Sequence, residues 1–378
     1  MKLFHFFSNH KYTGPADPAL VLASELHRRS EAVDLTFFAG QDPKGNQPAD
    51  GVHGRAKATG LPVSDALHLF KHGRPLPMLR DVRRLRRILA REQPDVLHTH
   101  LPNDHLVAAL ASRGSIPLVR TVYDAEAPRG FRARAALART SAALVFSDAV
   151  RDDLLRRAPQ CEVVRADPIL DLDRFSFERD PAVREEWNVT DDDFVVGVVA
   201  RMQTHRLFPE LIEGFARAAR EDEGLRLVCL GRGTNQETVA FEPARRSGVE
   251  QQILFPGYIP SDRYPQILPA FDALVFMVPG SDGTCRAARE ALACGVPLIS
   301  TRRGLLPSLN EHNQTGLLLD DETPAAIARA LRSLREDRAL HARLVEGARS
   351  RSRYRFDVRR HVDELLDLYR TLLDRNGG

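Results

Sequence analysis

Cysteine is scarce in this chain and carries no pattern. Cys161, Cys229, Cys285 and Cys294 are the only four among 378 residues, and none stands in a CxxC pair, which speaks against a disulfide framework or a structural zinc site. Long apolar runs are lacking too. The opening stretch Leu3 to Phe7 is broken by His5 and is far shorter than a signal-peptide core or a membrane span, so a cytoplasmic location is expected. Charge of one sign does not dominate, since 54 Lys and Arg face 51 Asp and Glu for a net +3, and nucleic acid is not an expected partner. Finally, no GxGxxG follows the first apolar run. Ser8 to Pro15 takes its place, which argues against a dinucleotide-dependent dehydrogenase.

What the chain has is length, 43% hydrophobic content and a regular alternation of short apolar runs with helical patterns. That length exceeds what a single core usually supports, and the alternation is the mark of parallel sheets covered by helices on both faces, an α/β class. Strands are expected at Lys2 to Phe7, Ala32 to Phe38, Asp95 to Thr99, Leu118 to Val122 and Ala143 to Ser147. The second half repeats this with Phe194 to Val199, Leu225 to Leu230, Gln252 to Phe255, Ala273 to Met277 and Leu298 to Ser300. Two Rossmann-like domains follow, 1–165 and 191–354, joined by a charged, weakly periodic connection at 166–190. An amphipathic helix at 355–374, with Val358, Val362, Leu365, Leu366 and Tyr369 as its stripe, is a candidate to pack back onto the first domain. Ligands of open α/β sheets collect at the carboxyl ends of strands, so two such domains facing each other would form a cleft.

Four strand-end segments of the second half carry candidate chemistry. Arg201 and Arg206 lie in the loop between strand Phe194 to Val199 and the next helix, where two guanidiniums and a helix N-terminus can clamp a diphosphate; solvated loop arginines would read the same. Gly231 and Gly233 form a short glycine turn that lets backbone approach a ligand. Gly257, Tyr258 and Ile259 form a turn that can present backbone groups to a nucleobase edge, or serve only as a turn. The segment Asp282, Gly283, Thr284, Cys285 to Glu290 opens a further helix. Asp282 and Glu290 stand roughly 12 Å apart along a helix axis, too far to share one metal ion. That spacing suits an extended ligand, with Glu290 on ribose hydroxyls, Asp282 on sugar hydroxyls and the amides of Gly283 to Cys285 between them. A purely structural reading makes Asp282 a cap and Glu290 the i,i+4 partner of Arg286, and both readings are compatible.

The run from Asp282 to Glu290, continuing through Ala291-Leu292-Ala293-Cys294-Gly295-Val296-Pro297 to Gly304 and Thr315-Gly316-Leu317, resembles the E-x7-E signature of glycosyltransferase family 4, a family of retaining enzymes with the GT-B fold. Arg201 and Arg206 match that family's diphosphate-binding Arg and Lys, Gly231 and Gly233 its glycine turn, and Gly257 its base-contacting turn. Pro94-Asp95-Val96-Leu97-His98-Thr99-His100 matches its PDxxHxH strand, and Tyr12 to Ala16, around Gly14, its glycine loop. Three positions depart from the pattern: Asp282 replaces the first Glu, Arg206 replaces the Lys, and Tyr123 before Asp124 stands where the family usually has His. The last change leaves a sugar-contacting role to Tyr123, Asp124 or His100.

The resemblance implies a UDP- or GDP-sugar as donor substrate, no obligatory cofactor, and a carbohydrate or lipid-linked acceptor bound by the first domain, through Asn9 to Pro15, His100 to His105 and Tyr123 to Arg132. It also implies work in cell-surface polysaccharide, lipopolysaccharide or glycoconjugate synthesis. No metal site is expected, because His98, His100 and His105 lack an arranged carboxylate ligand. The basic helix 80–91, with Arg129, Arg132 and Arg134, is a candidate contact with the inner face of an anionic membrane, although such runs are usually solvated. Two competitors remain at this level: a nucleotide-sugar epimerase of the same shape and a noncatalytic nucleotide-sugar-binding protein.

Overall fold

The computed structural model describes residues 1–72, 74–260, 263–280 and 283–377. The chain divides into two compact units, Met1–Leu170 with Asp357–Gly378, and Asp171–Phe356. In the first unit seven parallel strands, β1 (Lys2–Phe7), β2 (Asp34–Ala39), β3 (Val63–Ser64), β4 (Val96–Thr99), β5 (Leu118–Val122), β6 (Ala142–Val145) and β7 (Glu162–Arg165), lie in the order β3-β2-β1-β4-β5-β6-β7. In the second, six parallel strands, β8 (Phe194–Val199), β9 (Leu225–Leu230), β10 (Ile253–Gly257), β11 (Ala273–Phe276), β12 (Leu298–Ser300) and β13 (Gly316–Leu318), lie in the order β10-β9-β8-β11-β12-β13. Helices connect the strands, and this is the two-sheet α/β architecture expected.

The strands are buried on both faces, as parallel sheets require. β1 reads Lys-Leu-Phe-His-Phe-Phe and hides all but its first residue; β8 hides its first five. The strand expected to reach Ser147 stops at Val145, because the Ser147 hydroxyl accepts from the Val150 amide and caps the helix Asp148–Arg157. That N-cap contributes about 1 kcal/mol.

The C-terminal helix Val358–Gly377 buries Val358, Val362, Leu365, Leu366 and Tyr369 in one core with Leu3, Phe7, Ala19 and Leu26 of the first unit. Each such apolar side chain removed from water contributes roughly 1.5–3 kcal/mol. Residues 171–190, weakly periodic in the sequence, pack into the second unit. Trp187 stacks on Phe271 at 5.5 Å, and buried Arg184 donates to the Asp272 carboxylate at 2.7 Å. Among the described residues no helix is long and apolar enough to cross a membrane.

Candidate active site

In the second sheet β8 is flanked by β9 on one side and β11 on the other, so the connections leaving β8 and β11 diverge to opposite faces and leave a crevice at their carboxyl ends. A cavity of about 540 Å³ occupies it, lined by Val199, Ala200, Arg201 and Arg206 after β8, Leu230, Gly231 and Arg232 after β9, Tyr258 and Ile259 after β10, and Phe276, Gly280, Cys285, Arg286 and Glu290 after β11.

Backbone packing fixes these loops against one another. The Gly231 amide donates to the Gly257 carbonyl at 2.8 Å, tying the β9 and β10 ends together. A Cβ at Gly231 would stand 2.2 Å from the Ala200 carbonyl oxygen, and one at Gly233 would stand 1.9 Å from that of Met202. The glycine turn therefore exists so that the β9 loop can lie on the β8 loop, an approach no side chain permits. Arg206 spans to the other side, its Nη1 donating to the Val278 carbonyl at 2.6 Å, so the loops after β8 and β11 are joined by a residue that also lines the cavity.

The helix Arg286–Ala293 enters from Cys285, which is buried in a left-handed conformation at φ 51. A fully buried guanidinium holds this entry in place: Arg289 Nε donates to the Thr284 carbonyl at 2.9 Å and its Nη2 to the Thr284 hydroxyl at 3.1 Å. One turn into the helix, Glu290 is only 1% exposed and accepts from Arg286 Nε at 2.7 Å. Among the described residues the cavity thus gathers four guanidiniums, Arg201, Arg206, Arg232 and Arg286, around the Glu290 carboxylate. Such a set has the charge and donor geometry to suit a multiply charged anion.

Of the residues singled out in the sequence, Arg201, Arg206, Gly231, Tyr258, Ile259, Cys285 and Glu290 come together on this cavity, while Gly233, Gly257, Gly283 and Thr284 shape its loops without lining it. Asp282 lies outside the described residues. Arg232, Tyr264 and Arg286 are cavity residues the motif reading passed over or treated as structural. The spacing of Arg286 and Glu290 announces their ion pair. Nothing local marks Tyr264, which reaches the cavity from a separate segment.

The residues singled out in the first unit lie in a different setting. His100 Nδ1 pairs with the Tyr123 hydroxyl at 2.9 Å, His98 Nε2 with Thr121 Oγ1 at 2.7 Å and His98 Nδ1 with Tyr369, while His5 stands 3.4 Å from both His100 and Tyr369. All of these side chains are buried. Burial drives the imidazoles toward the neutral form, taking His5 down to about 3 from 6.5, and with neighbouring positive charge it holds His98 and His100 well below their usual value. His105 is spent on Thr140 at 2.8 Å. His100 lines neither this unit's smaller cavity, which borders Tyr123, nor the cationic one. Asp124 is exposed, and Gly14 is half-buried just before the helix Ala16–Arg28.

Two Rossmann-like sheets, with a cationic pocket at the strand-order reversal of the second, define the protein as one of GT-B class. Residues 19–174 match the profile described as Glycosyltransferase Family 4, and residues 180–351 match that described as Glycosyl transferases group 1. The chain belongs to this glycosyltransferase family. A D-inositol 3-phosphate glycosyltransferase of Salinispora tropica is 27% identical over 91% of this chain and 76% of its own. A GDP-mannose-dependent alpha-(1-6)-phosphatidylinositol monomannoside mannosyltransferase of Mycobacterium tuberculosis is 32% identical over 45% of this chain and 46% of its own. The crystal structure of Anabaena HepE in complex with UDP superimposes with a TM-score of 0.76 at 20% identity, covering 97% of this chain and all of that one, a likeness of fold.

Proposed function

We propose that this glycosyltransferase is a retaining enzyme that moves a sugar from a UDP- or GDP-sugar to a glycan, lipid-linked or small-molecule acceptor in cell-surface polysaccharide, lipopolysaccharide or glycoconjugate synthesis. The observation that carries the reading is the convergence of Arg201, Arg206, Arg232, Arg286 and Glu290 on one cavity at the strand-order reversal. As the bond between the anomeric carbon and the diphosphate oxygen loosens, negative charge grows on the leaving group, where preorganised guanidiniums and the amides of a helix start stabilise it. The acceptor oxygen then bonds to the anomeric carbon from the face the leaving group vacates, and its proton passes to a diphosphate oxygen. That route needs no protein nucleophile and no obligatory metal ion, with Asp282 and Asp124 left to contact the sugar and the acceptor, while Tyr123, buried against His100, is an interior group.

The two relatives named for inositol phosphate and phosphatidylinositol acceptors favour a polar or lipid-linked acceptor held by the first unit. The surface of that unit supports peripheral membrane contact: Arg80, Arg83, Arg84, Arg87 and Arg91 are exposed on the helix Pro75–Glu92, whose first turns also expose Leu76 at 71%. The reading is tested by Arg206→Ala and Glu290→Ala, each expected to lower transfer by about 10² or more, the scale of losing one electrostatic contact to the transition state, with circular dichroism showing that each variant is still folded at the assay temperature. Release of nucleoside diphosphate across a donor and acceptor panel is the assay, and near-normal turnover in both variants defeats the assignment.

A further inference from the structure

Two of the four cavity arginines are committed to the protein. Arg206 donates to the Val278 carbonyl and Arg286 to the Glu290 carboxylate. Arg201 shares the β8 loop with Arg206 at the strand-order reversal, the place proposed for the diphosphate. Arg232 differs from all three. It is exposed, it stands one strand farther from the reversal, after β9, and among the described residues no hydrogen bond or ion pair holds its guanidinium.

The backbone around it is fixed on both sides. The Gly231 amide donates to the Gly257 carbonyl at 2.8 Å, and the Arg232 carbonyl accepts from the Met202 amide at 3.4 Å. The side chain lies against the turn at the end of β10, the edge strand: a Cβ built on Gly257 would stand 3.5 Å from Arg232 Nε and 3.7 Å from Nη2. The next two residues, Tyr258 and Ile259, line the same cavity, with Tyr258 64% exposed. An extended nucleoside diphosphate whose phosphates meet Arg206 and the helix start after β11 carries its base at the far end. There the wall offers an aromatic surface and one uncommitted guanidinium.

A guanidinium presents parallel N–H donors in one plane, which two neighbouring acceptors on one edge of a base can match. Guanine has that pair in O6 and N7, whereas adenine sets an amino donor beside N7, cytosine presents an amino donor on the same edge, and uracil supplies O4 alone. An aromatic surface by itself stacks on any base and selects none.

We propose that Arg232 is the base-selecting residue of the donor site, its fork pairing with O6 and N7 of guanine so that the cavity prefers a guanosine diphosphate sugar to its uridine counterpart. This rests on the cavity being the nucleotide-diphosphate site.

The test is calorimetric titration of the intact wild-type, Arg232→Ala and Arg232→Lys chains with GDP, 7-deaza-GDP, UDP, ADP, CDP and inorganic pyrophosphate. Wild type should bind GDP about tenfold or more tighter than UDP, the worth of one further hydrogen bond to a charged group, and 7-deaza-GDP, which lacks the N7 acceptor, should fall to near the UDP level. Both variants should bring GDP down to that level and leave pyrophosphate unchanged, because lysine keeps the charge but not the fork. Wild type that binds UDP, ADP or CDP as tightly as GDP overturns the proposal while the donor-site reading stands. A GDP preference that survives in Arg232→Ala overturns it as well, and so does pyrophosphate weakened as much as GDP, which would make Arg232 a phosphate ligand. Wild type that binds no nucleoside diphosphate overturns both the proposal and the donor-site reading.

Discussion

In the first unit the strand order reverses between β1 and β4, and in the second between β8 and β11. At the first reversal the strand ends are sealed. The Asp104 carboxylate accepts from the Ser8 amide at 2.7 Å and the Leu101 amide at 2.9 Å, tying the end of β1 to that of β4, with fully buried Arg120 at 3.7 Å. Behind this tie, His5, His98, His100, Tyr123 and Tyr369 fill the interior with a hydrogen-bonded cluster. At the second reversal glycine stands where a side chain would sit, and the strand ends open into a cavity walled by arginine. One topology supplies the crevice in both cases. Whether it becomes a core or a binding pocket is decided by a few side chains just past the strand ends.

The largest way to break this contrast is to close the open end. Gly233→Ala forces a Cβ to within 1.9 Å of the Met202 carbonyl, so the β8 and β9 loops must part. Nucleotide affinity should fall by about 10² or more, since misplacing binding groups by about 1 Å costs on that order, with a lower melting temperature alongside. Calorimetry and thermal melts check this, and wild-type behaviour in both would show that the loops are not locked together.

A smaller effect separates the units by pH. His5 titrates at about 3 in the fold against 6.5 ordinarily, and His98 and His100 are shifted the same way. The unfolded chain therefore takes up protons first. The stability these groups contribute is complete above about 6.5 and is lost as pH falls toward their folded values. Asp104 acts in the opposite sense, because burial raises it to about 6 from 3.8: its contribution is full below 3.8 and fades as pH rises through 6. With His105 shifted the same way by burial, four histidines against one carboxyl make the first unit the acid-labile one. Hydrogen exchange between pH 7 and 4 should show β1, β4 and β5 losing protection at higher pH than β8 and β9. The same order of loss in both sheets, or its reverse, would contradict this.

Much of the fold was legible because period and burial agree. Lys2–Phe7, Leu118–Val122, Phe194–Val199, Leu225–Leu230 and Leu298–Ser300 carry the same limits in sequence and structure. The strands that escaped notice are short or of mixed character: Val63–Ser64 has two residues, Gly316–Leu318 begins with glycine, and Glu162–Arg165 places charges at both ends of an edge strand. The helix Arg338–Arg355 was hidden because only Leu344, Ala348 and Ser352 of its eighteen residues are buried. In the site, Arg201 and Arg206 declared themselves through loop position and Glu290 through its place on the helix that follows β11. Tyr264 and the anchoring role of Arg289 did not, since each depends on contacts made only after distant segments assemble.

The proposed activity depends on the second unit holding a nucleotide diphosphate through its arginines. Titrating UDP and GDP into the intact protein and into Arg201→Ala and Arg206→Ala tests it most directly. The account predicts saturable binding of at least one of the two nucleotides, weakened about tenfold or more in each variant, the scale of 1.5–3 kcal/mol for a hydrogen bond to a charged group, and weakened by added salt. Binding equally tight in wild type and both variants would contradict it.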